Sequence, residues 1–155
     1  MLPLTDPKWR NLKANYTDGS RVAELLASAG GGAPAEQWYE DLFQELCHQY
    51  TVSEAAFFAA PHLARIAAAR PDARKDLLIL LASCHASTRS PEPLSIPAGA
   101  KAGWRSSAAE GLPMLASLLA RPSADEDELR YLLSSLAALQ GYADLALAIE
   151  GLDDR

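Results

Sequence analysis

Apolar residues recur along this chain at three- and four-residue steps, and no stretch alternates in the way a half-buried strand would. The strongest stripe lies in 35–50, where Trp38, Tyr39, Leu42, Phe43, Leu46, Cys47 and Tyr50 share one helical face. Glu36, Glu40, Asp41, Gln44, Glu45 and His48 occupy the other, so one amphipathic helix is predicted from Ala35 to Tyr50. Before it, Trp9, Leu12 and Tyr16 suggest a short helix. Asp18-Gly19-Ser20 then supplies an N-cap for a helix through Val22, Leu25 and Leu26 that stops at Gly30-Gly31-Gly32.

Thr51 with Glu54 reads as a capping box for a helix running to Ala69, with a kink expected near Phe57–Ala60 from Pro61. Asp72 is placed to cap the next helix, whose centre Leu77-Leu78-Ile79-Leu80-Leu81 is apolar all round and predicts deep burial. Residues 88–103, TRSPEPLSIPAGAKAG, break every period and read as a surface loop. Helicity resumes near Trp104 and runs to Ala120. Ser123 with Glu126 suggests a second capping box, and the acidic turn Asp125-Glu126-Asp127-Glu128 suits a helix N-terminus. Leu129, Leu132, Leu133, Leu136 and Leu139 complete that helix; Gly141 ends it, and Tyr142 to Leu152 add a short last one. The expectation is an all-α domain over 1–155 with six to seven helices.

Two of these helices echo each other. AFFAAPHLARIAAARPD (56–72) and AAEGLPMLASLLARPS (108–123) share an interior proline (Pro61, Pro113) and a leucine two residues on (Leu63, Leu115). Each also has a further apolar position (Ile66, Leu118) and an Arg-Pro stop. Self-similarity over about fifty residues, carried by helix pairs, predicts a short α-α superhelix.

Charge narrows the partners. The formal net charge is −6, and the basic residues are scattered rather than clustered. A phosphate backbone demands the opposite, so nucleic acid is excluded, and an acidic surface favours a basic protein. No apolar run reaches the roughly twenty residues that span a bilayer, and MLPLTDPKWRNL lacks a signal-peptide layout. Cys47 and Cys84 are too few for a disulfide framework, which favours reduced thiols and a cytoplasmic protein without membrane contact.

The residues that could carry chemistry argue for none. Cys47-His48 and Cys84-His85 invite a zinc tetrad, but adjacent helical residues diverge by about 100°, so no metal site is assigned. Cys47 falls on the apolar stripe, which predicts an inert thiol. The carboxylates of 36–45 and 125–128 read as solvated faces and dipole partners. The glycine triplet lacks phosphate-loop spacing, and no GxSxG elbow occurs. No catalytic residue and no cofactor is assigned. Trp104, at a loop edge, is a candidate partner anchor, or a plug for the end of a helical stack.

WRNLKANYTDGSRVAELL (9–26) and WYEDLFQELCHQYTVSEAAFFAAPHLARIA (38–67) resemble a group of bacterial HEAT-like, or armadillo-like, repeat proteins. The matching positions are Trp9, Leu12, Tyr16, Val22, Leu25, Leu26, Trp38, Leu42, Leu46, His48, Gln49, Thr51, Val52, Pro61 and Leu63. Tyr50 stands where that group commonly has glycine. The resemblance implies a right-handed α-helical solenoid and no established reaction.

In such a stack the helices beginning near Ala35, Asp72 and Ser123 would line one face. The expected function is non-enzymatic protein binding, in the form of an immunity or antitoxin protein that masks a basic toxin. The expected contact residues are Glu36, Glu40, Asp41, Gln44, His48, Asp125, Glu128 and Trp104. The alternative is a small-molecule binder or enzyme with a pocket under the 88–103 loop, lined by Trp104 and His85.

Overall fold

A computed structural model describes residues 1–48, 51–87, 95–122 and 125–151. Among the described residues it is all-α apart from one hairpin of two two-residue strands and an isolated bridge between Lys13 and Asp18. Seven helices follow in order: α1 (Gly19–Gly30), α2 (Tyr39–Leu46), α3 (Glu54–Ala69), α4 (Arg74–Ser87), α5 (Lys101–Leu119), α6 (Glu126–Leu139) and α7 (Ala143–Glu150). Short 3₁₀ turns cover Pro7–Asn11 and Ala35–Gln37.

Asp18 caps α1 as predicted, its carboxylate accepting from the Ser20 N–H at 2.7 Å. The following glycine is required by contact. A Cβ on Gly19 would stand 2.5 Å from the Trp9 carbonyl oxygen, so α1 can begin this close to the first segment only without a side chain there.

The helix predicted over 35–50 is shorter. A 3₁₀ turn precedes it, Trp38 leaves helical geometry at φ −143°, and α2 ends at Leu46. Cys47–His48 (β1) then pairs antiparallel with Thr51–Val52 (β2), Cys47 opposite Val52 and His48 opposite Thr51. Thr51 and Val52 are β-branched and favour extended backbone, and Ser53 N–H closes the hairpin on the Leu46 carbonyl at 2.9 Å. The predicted Thr51–Glu54 capping box is therefore not formed. The start of α3 is held from outside: Ala55 N–H donates to the Lys13 carbonyl, and the Glu54 carboxylate accepts from Lys13 N–H. Gln49 and Tyr50, part of the sequence resemblance, lie outside the described residues.

α3 continues through Pro61, which packs against Gly103 of α5, where a Cβ would sit 3.2 Å from the proline ring. At its end Arg70 ties α3 to α1. The guanidinium donates to the Ala29 and Ala33 carbonyls at 2.7 Å each and pairs with Asp72. Leu77, Leu78, Leu80 and Leu81 of α4 are fully buried, as their apolar run predicts. α5 starts three residues earlier than expected. Ser123 lies outside the described residues, and the side chain that caps α6 is that of Asp125, accepting from Glu128 N–H at 2.7 Å.

α1, α3 and α5 pack in sequence as one row, and α2, α4 and α6 as a second row against it; α7 folds back over α6 and α4. The two echoing segments fall on α3 and α5, which lie side by side, and both echoed leucines, Leu63 and Leu115, are fully buried between the rows. α5 approaches α4 and α6 closely at Gly111, where a Cβ would be 2.8 Å from Leu139 and 3.3 Å from Leu81. Trp9, Trp38, Phe57, Leu42 and Leu46 extend the same core to the first helices.

Candidate functional site

Helices of one row that run the same way present their N-termini along one edge, and N-termini favour acidic side chains. Glu36 and Glu40 stand at the start of α2, Asp76 at the start of α4, and Asp125 to Glu128 at the start of α6. Glu36, Glu40, Asp125, Glu126 and Asp127 are exposed. The first turn of α4 joins the two flanks. Its Lys75 ammonium bonds Glu128 at 3.3 Å, while its Asp76 carboxyl feels the charge of Glu36. Burial pushes Asp76 above the ordinary carboxylate range, with Glu36 adding and Lys75 opposing.

Two tyrosines complete the edge. The Tyr39 hydroxyl is pushed up to about 12, first by burial and then by the charges of Asp76 and Glu40; Tyr131 is close enough to contribute. Tyr131 itself is 45% exposed, with Arg130 packed over its ring at 5.7 Å and paired to Asp127 at 3.0 Å. The edge is thus strongly acidic, with an aromatic that water covers and two cations already paired. A basic surface would find both charge and contact area there.

The other expected contact residues go elsewhere. Asp41 is exposed but engaged, bonding Arg21 of α1 at 2.7 Å. Gln44 donates to Glu40 at 2.8 Å, one turn along α2. His48 sits beyond the far end of that helix, edge-on to Tyr16 with ring centres 5.3 Å apart. Trp104 is not a surface anchor. Only 5% exposed, it stacks on His85 at 3.8 Å and meets Phe57 edge-on at 4.8 Å, so it plugs the core where α5 begins. The Trp104 and His85 rings cover each other face to face. Residues 88–94 of the loop lie outside the described residues.

Glu45 also departs from its expected exposed face. It is 6% exposed, and its Oε2 accepts from the backbone N–H groups of Tyr16 and Thr17 at 3.1 Å each. Replacing Glu45 with alanine leaves two backbone donors unmet and is expected to cost about 2–3 kcal/mol. Glu45→Gln, which keeps one acceptor oxygen, should lose less. Urea unfolding midpoints of the two variants check this order.

The Cys-His pairs separate, Cys47 and His48 because successive strand residues point to opposite faces, Cys84 and His85 because successive helical residues diverge. Cys47 meets Ser87, one turn from Cys84 on α4, while His48 turns to Tyr16 and His85 to Trp104. Sequence reasoning missed Asp76, Tyr39 and Tyr131 as members of the acidic edge. Asp76 had a signal, being a carboxylate directly before the long apolar run of α4. No family model, no curated protein and no solved structure matches this chain.

Proposed function

We propose that this chain is a non-enzymatic binding protein whose acidic edge docks a basic protein, in the form of a cytoplasmic immunity protein that masks a basic toxin. One observation carries the reading: the acidic helix starts of α2, α4 and α6 lie along one row, with Lys75 of α4 bonded to Glu128 of α6 and α2 packed beside α4. Complementary charge steers encounter and suppresses wrong partners, and the half-exposed Tyr131 supplies an aromatic for the contact centre. Paired helices in two rows, with the echoed segments side by side, support the solenoid resemblance and a surface-based role. Among the described residues, no helix is long and apolar enough to cross a membrane.

The test compares the wild-type chain with a variant carrying Glu36→Gln, Glu40→Gln, Asp125→Asn and Glu128→Gln. A basic protein should co-purify with the wild type and be released by salt, because exposed charges lose reach within a Debye length of about 10 Å at 0.1 M. The variant should bind that protein at least tenfold more weakly, chiefly through slower association. Cells making the partner should recover growth when they also make the wild-type chain. Equal binding by the variant, or binding that salt leaves unchanged, removes the reading.

A further inference from the structure

A cavity of about 290 Å³ lies where the end of α2, the last turns of α4 and the helix α7 meet. Phe43, Cys47, Ser87, Leu147 and Glu150 are among its walls. Cys47 stands where α2 stops. Its backbone has left the helix at φ −147° and ψ 98°, and its Sγ is 3.0 Å from Ser87 Oγ on α4. Ser87 Oγ donates to the Ser83 carbonyl at 2.8 Å and so is free to accept from the Cys47 thiol. Cys84 lies one turn before Ser87 on the same side of α4, so its sulfur neighbours that of Cys47, and each thiol acts on the other's proton affinity.

The two sulfurs are unequal. Cys47 lines the cavity and is 4% exposed, whereas Cys84 is fully enclosed and takes no part in the cavity wall. Hydrogen bonding from Cys84 holds the Cys47 thiol below the ordinary thiol range; Ser87 adds to this, and burial and Glu150 oppose it. Its contact with Cys47, and then its burial, push the Cys84 thiol well above that range. The cavity therefore presents Cys47 to an entering molecule and keeps Cys84 behind it.

We infer that Cys47 and Cys84 are a peroxide-responsive thiol pair: Cys47 reacts with a small hydroperoxide entering the cavity, and Cys84 closes an intramolecular disulfide. In the first step the Cys47 sulfur attacks one oxygen of hydrogen peroxide. The O–O bond breaks, a Cys47 sulfenic acid forms, and the departing hydroxide takes the thiol proton as water. In the second step the Cys84 sulfur attacks the Cys47 sulfur and displaces that hydroxyl. It leaves as a second water with the Cys84 proton. The net reaction oxidises two thiols by two electrons and reduces one peroxide to two waters. Because Cys84 stands one helical turn from the Ser87 hydroxyl that Cys47 already meets, closure calls for side-chain torsions more than helix movement. The disulfide would fasten the end of α2 to α4.

Hydrogen peroxide added to the reduced, full-length protein provides the test, read by thiol alkylation, intact mass and peptide mapping. The wild type should lose both thiols together and yield a monomeric Cys47–Cys84 linked peptide. Cys84→Ser should stop at a sulfenic acid on Cys47 that a cyclic diketone captures. Cys47→Ser should oxidise at least tenfold more slowly than the wild type. Absence of the linked peptide in the wild-type chain overturns the inference whatever the variants do. So does a Cys47→Ser protein, folded by circular dichroism, that oxidises as fast as the wild type.

Discussion

Trp104→Ala is expected to destabilise the protein by about 3–5 kcal/mol, the range for emptying an aromatic site in a core. The indole is almost fully enclosed, with His85 against its face and Phe57 against its edge. It also sits in the first turn of α5, the helix that α3 and α6 both pack against. Truncation removes the bed of His85 and leaves a void that the two rows cannot close without moving α5. Against a total stability of about 5–15 kcal/mol for a domain of this size, the loss is severe. A urea titration of the purified variant measures it. If the midpoint stayed at the wild-type value while partner binding disappeared, the indole would be a surface anchor and its placement here wrong.

The second large effect is acid lability centred on His85. Burial lowers its imidazole from the ordinary value near 6.5 to about 4. Its folded-state pKa is thus below the unfolded one, so the unfolded chain takes the proton first. The neutral imidazole contributes its full stability above about pH 6.5, and that contribution drains away as the pH falls to about 4. At 1.36 kcal/mol per pKa unit, this amounts to roughly 3 kcal/mol. His62 works in the same direction, lowered by burial against the pull of the Leu2 carbonyl that its Nε2 meets at 2.8 Å. Asp76, whose carboxyl is raised, works in the opposite direction. Unfolding free energies at pH 7.5 and 4.5 should differ far more for the wild type than for His85→Gln. Equal differences would mean that the imidazole is not kept neutral by the core.

Much of the fold was legible wherever local chemistry decides it. Asp18 and the glycines after Ala29 bound α1; the apolar run of 77–81 marks the buried centre of α4; the twin prolines mark the two helices that lie side by side. Legibility fails where a partner distant in the chain decides. α2 stops at Leu46 because Thr51 and Val52 pull the preceding residues into a hairpin, which a continuous apolar stripe conceals. Glu45 reads as solvated because the N–H groups that bury it belong to Tyr16 and Thr17. Trp104 follows an irregular stretch, and nothing around it in sequence announces His85 as its neighbour. Asp125 caps α6 where Ser123 had the better motif, since the helix begins only at Glu126.

The candidate site divides along the same line. Glu36 with Glu40, and Asp125 with Glu128, were visible as acidic groups at helix starts, but only packing reveals that Asp76 and Lys75 of α4 stand between them. Asp41 and His48 share a sequence neighbourhood with that edge and are drawn off by Arg21 and Tyr16. Cys47 and Cys84 were legible as buried thiols. That Cys47 meets Ser87, one turn from Cys84, was not, because it depends on α2 ending where it does.

Zero-length coupling of carboxylates to lysines, applied to the complex with the co-purified basic protein and mapped by mass spectrometry, is the most direct measurement. The links should start from Glu36, Glu40, Asp125 and Glu128. Links confined to Glu24, Glu110 and Asp144, with that edge untouched, would contradict the account.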